Sequence, residues 1–317
     1  MQAVILAAGK GTRLAPITNN RSKGMLPILG EPIIARIIGG MFSSGLRNFI
    51  LVVNPEDHAV REYFQNENSH DIQVQFIDQD RQLGTAHALR LAAPNITGDF
   101  ILSACDSLVP EDQMNSLVST WSRLSDSHGL LSLERVPLLD ADKTGIVTLD
   151  GDRVAGIVEK PTPAEAPSDI SSAPLYAFSS QILNYLPQVP LSLRGEYELQ
   201  DAIQMMIDED LTVNGIFLNS RLTLTTTHDL LAINLDYLHA MAQSYQAGSD
   251  KIGTHTKLVD PVFIEKGVEI GSSCQIGPGV YIERNVHIGD DVQLENAVVL
   301  RDTTIVKNTR LNNRVIY

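Results

Sequence analysis

From Ile252 onward the chain repeats with a period of six. Ile252, Leu258, Ile264, Ile270, Ile276, Ile282, Ile288, Leu294, Leu300 and Val306 fall in one register, and ten consecutive hits are hard to obtain by chance. A second register four residues later holds mostly small or β-branched residues: Thr256, Val262, Val268, Cys274, Val280, Val286, Val292, Val298 and Thr304. Many hexads place Gly or Glu directly after the aliphatic residue, as in "IGSSCQ" and "IGPGVY". Short turns of this kind stack their aliphatic side chains into a narrow prism.

The pattern resembles the hexapeptide repeat of left-handed parallel β-helices. At three hexads per coil it makes about three coils, near the minimum for a stable stack. So short a prism leaves apolar faces and an open end to cover, which implies packing against the rest of the chain, against other subunits, or both.

The preceding residues follow a different pattern. Ala3 to Ala7 reads as a buried strand, and "FILVV" from Phe49, the alternation of Ile72, Val74 and Phe76, and "DFILSA" from Asp99 supply three more. Between the first two, "PIIARIIGGMFSSGL" reads as an amphipathic helix. Pro32 opens it, Ile33, Ile34, Ile37, Ile38, Met41 and Phe42 share one face, and Gly45 ends it. Strands alternating with helices predict a mainly parallel sheet covered on both faces, with its ligand at the carboxyl ends of the strands. A hairpin turning near Asp150 and Gly151 makes the sheet mixed. A helix from Asp229 to Ala247 is expected to bridge to the repeats, with "GSDKIG" as the boundary.

Composition narrows the partners. Hydrophobic residues make up 43% of the 317 and charged residues 20%, ordinary for a globular protein. A formal net charge of −14 argues against nucleic acid and anionic membrane, so any phosphate must be held by local cations. No apolar run approaches the ~18 residues of a membrane span, and the first ten residues lack the charged and apolar regions of a signal peptide. The expected location is the cytoplasm. Cys105 and Cys274 form no metal-binding spacing and read as buried free thiols.

The first strand runs into "AAGKGTRL". This loop lacks the third glycine of the dinucleotide fingerprint and the glycine four residues before a GK[ST] that a Walker A loop requires. It is nevertheless rich in cations, with Lys10 and Arg13 followed by Arg21 and Lys23 in "GKGTRLAPITNNRSKGMLP".

Leu6 to Leu14 and Lys23 to Pro27 carry a resemblance to the sugar-1-phosphate nucleotidylyltransferases, whose signature is a LAxGxGTRL loop followed by a lysine in a K-x-x-LP setting. The likeness covers essentially the whole chain, since some members carry a hexapeptide-repeat tail. It implies an α/β fold: a Rossmann-like nucleotidyltransferase domain with a mixed, mainly parallel sheet over 1–228, a connecting helix and linker over 229–250, and a short left-handed parallel β-helix over 251–317. It also implies a reaction in which a nucleoside triphosphate and a sugar 1-phosphate give a nucleotide sugar and pyrophosphate. Two polyanions must then approach one another. Leu6, Ala7, Ala8, Gly9, Gly11 and Thr12 would approach the nucleotide with their backbone, Arg13 would fork onto the β- and γ-phosphates, and Lys23 would reach the α-phosphoryl group.

"DQDRQLGTAHA" from Asp78 is similar to the base-holding segment of members that make UDP-N-acetylglucosamine. It places the Gln79 amide on the uracil edge and Gly84 and Thr85 against base and ribose, with thymine remaining an alternative. Asp106 falls where the family holds Mg²⁺, and "LNSRLTL" nominates Asn219 as second ligand; triphosphate oxygens and water would complete an octahedron. For the sugar 1-phosphate, Gly145 would back the ring, Glu159 would accept from sugar hydroxyls, and Lys160 would hold the phosphate. Ser172 stands where the family has asparagine, Pro174 where it has glycine, and Cys105 where a glycine precedes the metal aspartate. Asp201 borders the sugar site or is structural. The departures keep a second reading open: a catalytically weak, nucleotide-sugar-binding regulatory or structural subunit. A third, an acyltransferase built on the repeats, would need more coils and a catalytic histidine, and only His255 and His287 lie in the hexads. Association into a homo-oligomer through the repeats is the tail's expected use.

Overall fold

The computed structural model describes residues 1–66, 71–241, 243–246 and 251–317. The chain divides into two compact units: Met1–Lys10 with Arg36–Arg221, and Gly11–Ala35 with Leu222–Tyr317.

The first unit is built on a nine-stranded sheet. Its strands are β1 (Gln2–Leu6), β2 (Asn48–Val53), β3 (Gln73–Asp78), β4 (Phe100–Ala104), β5 (Gly129–Arg135), β6 (Gly145–Asp150), β7 (Arg153–Glu159), β8 (Ile170–Phe178) and β9 (Val213–Phe217). They lie in the order β3-β2-β1-β4-β8-β5-β9-β7-β6, and β8 also touches β6. Strands β1 to β4 run parallel, Val4 facing Ile50 on one side and Leu102 on the other. Beyond β4 the sheet is largely antiparallel. Strand β8 is inserted antiparallel between β4 and β5, and β6–β7 is the expected hairpin; only β9 rejoins β5 in parallel. The mainly parallel character expected of the whole sheet therefore holds for its first four strands, because hairpin and return connections replace helical crossovers after β4.

Both faces of the parallel half are covered. Val4, Ile50, Phe100 and Leu102 share a core with Ala86 and Leu89 of α3 (Thr85–Ala92) and with Ala202, Ile203 and Met206 of α5 (Leu199–Asp208). Ala3, Ile5, Leu51 and Ile101, on the opposite face, are equally buried. The first long helix, α1, runs Ile33–Ser43 and buries Ile33, Ile34, Ile37, Ile38 and Met41 as its periodicity requires. Gly45, at φ +94°, ends it, and α2 (His58–Asn66) follows β2. Phe42 is half-buried, with the Arg47 guanidinium 3.8 Å from its ring centre.

In the second unit, α6 spans Thr227–Ala240 and opens with a capping box between Thr226 and Asp229. It is thus shorter than the helix expected to reach Ala247. Of the expected boundary, residues 248–250 lie outside the described residues. From Lys257 the chain forms short parallel strands that pair with residues 18 positions away: Val262 with Val280, Gln275 with Gln293, Glu269 with His287. Ile264, Ile270, Ile276, Ile282, Ile288 and Leu294 line one apolar interior with Cys274. Cys274 and Cys105 are both buried and form no disulfide.

The six-residue register does not run to the end. Gln293–Val299 forms one continuous strand, so the last coil is a residue short: Ile282 pairs with Val299, and Ile288 with Ile305. The turn residues in left-handed conformation record the same slip, running Ser273, Asp291, Asn308 and Asn285, Asp302. Val306, the tenth residue of the sequence register, is consequently 70% exposed, while Ile305 is 4% exposed inside the stack. Ile305→Ala should lower unfolding free energy by about 2–4 kcal/mol and Val306→Ala by less than about 0.5 kcal/mol, measured by denaturant titration. Equal effects would contradict the slipped register.

Candidate active site

The first unit holds a cleft of about 270 Å³ at the carboxyl ends of β1, β3 and β4. Leu6, Ala8 and Gly9 line it from the end of β1, Gln79, Gln82, Gly84 and Thr85 from the segment leading into α3, and Leu102, Ser103 and Ala104 from β4. Pro174 and Tyr176 of β8, and Glu196, Leu199 and Gln200 at the start of α5, complete the wall.

The loop leaves β1 with its backbone already committed. The Ala7 N–H donates to the Val52 carbonyl (2.7 Å), and the Leu6 carbonyl accepts from the Cys105 N–H (3.2 Å). The Gln82 amide donates to the Ala8 carbonyl (3.2 Å), which ties the loop to the α3 segment. Gln82 lies in the same segment as Gln79, and its position in "DQDRQLGTAHA" is the only sequence signal for it. Gln79 is buried and its amide nitrogen lies 3.3 Å from the Gly84 carbonyl and 3.0 Å from His87 Nδ1. Burial, followed by the nearby Arg90 charge, holds His87 below its ordinary pKa, which favours a neutral ring able to accept there.

Gly84 has a structural necessity of its own. At φ +102° it lies so close to Tyr197 that an added Cβ would stand 2.4 Å from that residue's carbonyl oxygen. The crossing is fixed by Tyr197 N–H to Leu83 O (2.7 Å), Ala86 N–H to Tyr197 O (3.0 Å) and Leu199 N–H to Thr85 Oγ1 (3.1 Å).

The residues assigned to the sugar converge. A Cβ on Gly145 would lie 2.9 Å from Ser172 Oγ, 3.1 Å from Gln200 Cγ and 3.1 Å from Glu159 Oε2. Tyr176 donates its hydroxyl to Ser172 Oγ (3.2 Å). Lys160 Nζ lies 3.1 Å from Glu159 Oε1 and Arg194 Nη2 3.7 Å from it. Glu159 Oε2 is buried without a hydrogen-bond partner, and burial raises the carboxyl's pKa against the pull of Lys160. Arg194 also donates to the buried Glu198 (2.7 Å), and Asp201 beside them is raised by burial and by the Glu198 charge. Arg194, Glu198, Gln200 and Tyr176 were not singled out from sequence.

Pro174 sits in a bulge of β8, where the pairing with β5 shifts between Ala173 and Tyr176. Such an irregularity is where a strand tolerates proline. Cys105 is buried.

Asp106 follows β4, and Asn219 lies exposed after β9. Gln113 of α4 (Glu111–Trp121) accepts from the Asn219 N–H (2.7 Å), and Arg221, paired with Glu134, donates to Ser107 Oγ (3.4 Å). Both candidate ligands offer hard oxygen donors. Such donors suit a hard cation such as Mg²⁺. No cluster of three His, Cys, Asp or Glu side chains suited to a metal occurs among the described residues.

The remaining signature residues belong to the second unit. Thr12 and the exposed Arg13 form a single 3₁₀ turn, Thr12–Leu14, and Lys23 opens another, Lys23–Met25. Gly11 (φ +62°) packs so closely that a Cβ would meet Lys23 Cβ and Thr18 Cγ2 at 3.2 Å. Arg21, expected to add to the loop's cations, is instead buried in an ion pair with Glu283.

Residues 2–258 match the family model described as nucleotidyl transferase, and residues 258–317 the GMPPB C-terminal domain. The chain belongs to the nucleotidyl transferase family. It is 32% identical over 272 residues to the "Bifunctional protein GlmU" of Methanococcus aeolicus, covering 85% of this chain and 62% of that one. It is 31% identical over 217 residues to the "UTP--glucose-1-phosphate uridylyltransferase AglF" of Haloferax volcanii, covering 68% of this chain and 87% of that one. Its fold matches the UTP-bound UGPase of Acinetobacter baumannii with a TM-score of 0.68 at 23% identity, over 76% of this chain and 94% of the other. Among the described residues no helix is long and apolar enough to cross a membrane.

The Gly84 crossing gives a structural prediction. Gly84→Ala should lose about 2–4 kcal/mol of stability through strain and backbone clash. Gly151→Ala, at φ +60° with open space around it, should lose about 1 kcal/mol. Chemical denaturation of both variants checks the difference.

Proposed function

We propose that the chain transfers a uridylyl or thymidylyl group from UTP or dTTP to a hexose 1-phosphate, glucose or N-acetylglucosamine, releasing pyrophosphate. The observation that carries this reading is the convergence of Gly145, Glu159 and Ser172 near Gln200, which also lines the cleft formed by Ala8, Gly9, Gln79, Gly84 and Thr85.

In this reading a sugar-phosphate oxygen attacks the α-phosphorus in line, and the α–β anhydride breaks as its electrons move to pyrophosphate. With its nitrogen turned toward Gly84 and His87, Gln79 offers its carbonyl oxygen to the N3–H that uracil and thymine share. The backbone of Leu6, Ala7, Ala8, Gly9, Gly11 and Thr12 approaches the nucleotide. Arg13 forks onto the leaving phosphates and Lys23 steadies the α-phosphoryl group, so charge develops against fixed cations. Glu159 accepts from sugar hydroxyls and Lys160 holds the sugar phosphate. Asp106 and Asn219 would hold Mg²⁺, which supplies charge neutralisation on the phosphate oxygens. We assign the C-terminal stack as a left-handed β-helix of hexapeptide repeats that also supports homo-oligomers, and we place the protein in the cytoplasm.

The test is pyrophosphate release with Mg²⁺, crossing UTP, dTTP, GTP, ATP and CTP against glucose, N-acetylglucosamine, galactose and mannose 1-phosphates. Turnover is expected with UTP or dTTP and should fall by about 10²–10³ in Asp106→Asn. Silence across the grid, with UTP or a UDP-sugar still raising the Tm, would make this chain a binding subunit. A second outcome follows from Glu159. Because burial raises its pKa, protonation on acidification begins above the ordinary carboxylate range and removes an acceptor from the sugar. The KM for sugar phosphate should therefore rise on acidification in the unsubstituted enzyme, and in Glu159→Gln it should be higher but lose that component of the pH profile. An unchanged profile would refute the role.

A further inference from the structure

Resting on the reading above, we propose that Glu283, in the C-terminal stack, is a positioning residue for nucleotidyl transfer, acting through Arg21 on Lys23. The two side chains form a bidentate pair, Arg21 Nη1 to Glu283 Oε2 at 3.0 Å and Nη2 to Oε1 at 2.6 Å, with 7% and 6% of their side-chain surface exposed. Glu283 Oε2 also accepts from the Arg301 N–H (2.8 Å), which fixes the carboxylate to the next coil.

The segment is gripped again beyond Lys23. The Leu29 N–H donates to Asn234 Oδ1 (2.9 Å), and Asn234 Nδ2 donates to the Pro27 carbonyl (3.1 Å). The Gly30 N–H donates to the Tyr281 hydroxyl (3.1 Å), which donates to Glu265 Oε1 (2.5 Å). Phe263 packs so closely on Gly30 that a Cβ there would meet its ring at 3.3 Å. Thus Lys23 lies between two anchors, Arg21 on one side and residues 27–30 on the other, both held by α6 and the stack.

The geometry also runs backward along the loop. Gly11 lies against the Lys23 side chain, and Thr18 donates to the Gly11 carbonyl (3.0 Å). Arg13 stands two residues from that glycine. A planar guanidinium held by both carboxylate oxygens fixes direction as well as distance, which an ammonium or a single hydrogen bond does not. Arg21 therefore contributes no positive charge to the phosphates; it contributes the position of the residues that do.

The experiment uses the full chain and compares the unsubstituted protein with Glu283→Gln, Arg21→Gln and the double variant. The measurements are kcat and both KM values per folded molecule, with hydrogen exchange of the Met25 and Leu26 amides that close the Lys23 turn. Positioning predicts a tenfold or greater fall in kcat in each single variant, less than a twofold change in the KM for sugar phosphate, and faster exchange at the two amides. The double variant should be no worse than either single one, because both break the same link. If a glutamine variant fails to fold, Arg21→Lys, which keeps the charge and loses the fork, is measured in its place and should show the same fall in kcat. Unchanged kcat in a folded variant, or a kcat fall without faster exchange, overturns the proposal. Absence of turnover in the unsubstituted chain removes the functional reading and this inference together, whereas full activity of Glu283→Gln removes the inference alone.

Discussion

The first unit depends on one strand that has no exposed face. In β1, Ala3, Val4 and Ile5 are fully buried, and parallel neighbours β2 and β4 take up hydrogen bonds on both edges. Because the three strands run in one direction, their carboxyl ends meet at one margin of the sheet, and the cleft forms there. Of the backbone that leaves β1, the Leu6 carbonyl, the Ala7 N–H and the Ala8 carbonyl are paired, the last by a side-chain amide from Gln82. A loop so constrained can present backbone N–H groups to a ligand without having to fold around it, which keeps the ordering cost of binding low.

The second constraint is electrostatic. Under the function proposed above, a protein with net charge −14 must bring local cations to a triphosphate. Arg21 lies in the signature segment, yet its charge is cancelled by Glu283. Buried pairs add little net stability compared with apolar residues of the same volume, while removal of one partner costs about 3–5 kcal/mol. Such a pair is therefore a poor source of stability and a strong source of geometric definition. The aromatic and amide contacts at residues 27–30 have the same character, holding main-chain atoms in place within the second unit.

Much of this was legible from residues alone. Periodicity located α1, the first strands, the hairpin at Gly151 and the run of the C-terminal stack, because burial imposes its period directly on composition. It failed where the backbone departed from the period without a change in residue type: Val299 and Ile305 are as aliphatic as Leu300 and Val306, so a coil shortened by one residue leaves no mark in the sequence. The antiparallel half of the sheet was hidden for a related reason, since strand direction is decided by long-range pairing of β8 between β4 and β5. Among site residues, the loop and the Gln79 segment stood out through their resemblance to a family signature, and the structure adds why glycine stands at Gly11 and Gly84, where a neighbour approaches closely. Arg21 was misread because a cation beside a phosphate signature looks the same whether it faces solvent, ligand or a carboxylate 262 residues away.

The region of Gly145, Glu159 and Ser172, assigned to the sugar in the proposed function, accommodates the departures from the family pattern. With serine at 172, the Tyr176 hydroxyl finds its acceptor inside β8, and the bulge at Pro174 brings both to the region where Gly145 and Gln200 lie. Arg194 bridges Glu198 and approaches Glu159, so two of three acidic groups there are partly neutralised within the protein. The second carboxylate oxygen of Glu159, Oε2, nevertheless stays buried and without a hydrogen-bond partner. A carboxylate oxygen in that condition destabilises the protein, as its raised pKa records, and no contact within the first unit relieves it. Its retention is explained if the missing partner comes with the substrate: a hydroxyl donor seated beside Gly145 would supply the hydrogen bond, and the free energy otherwise lost to desolvation would be returned on binding. The departure at Ser172 then reads as a rearranged polar lining that still leaves one acceptor for the sugar.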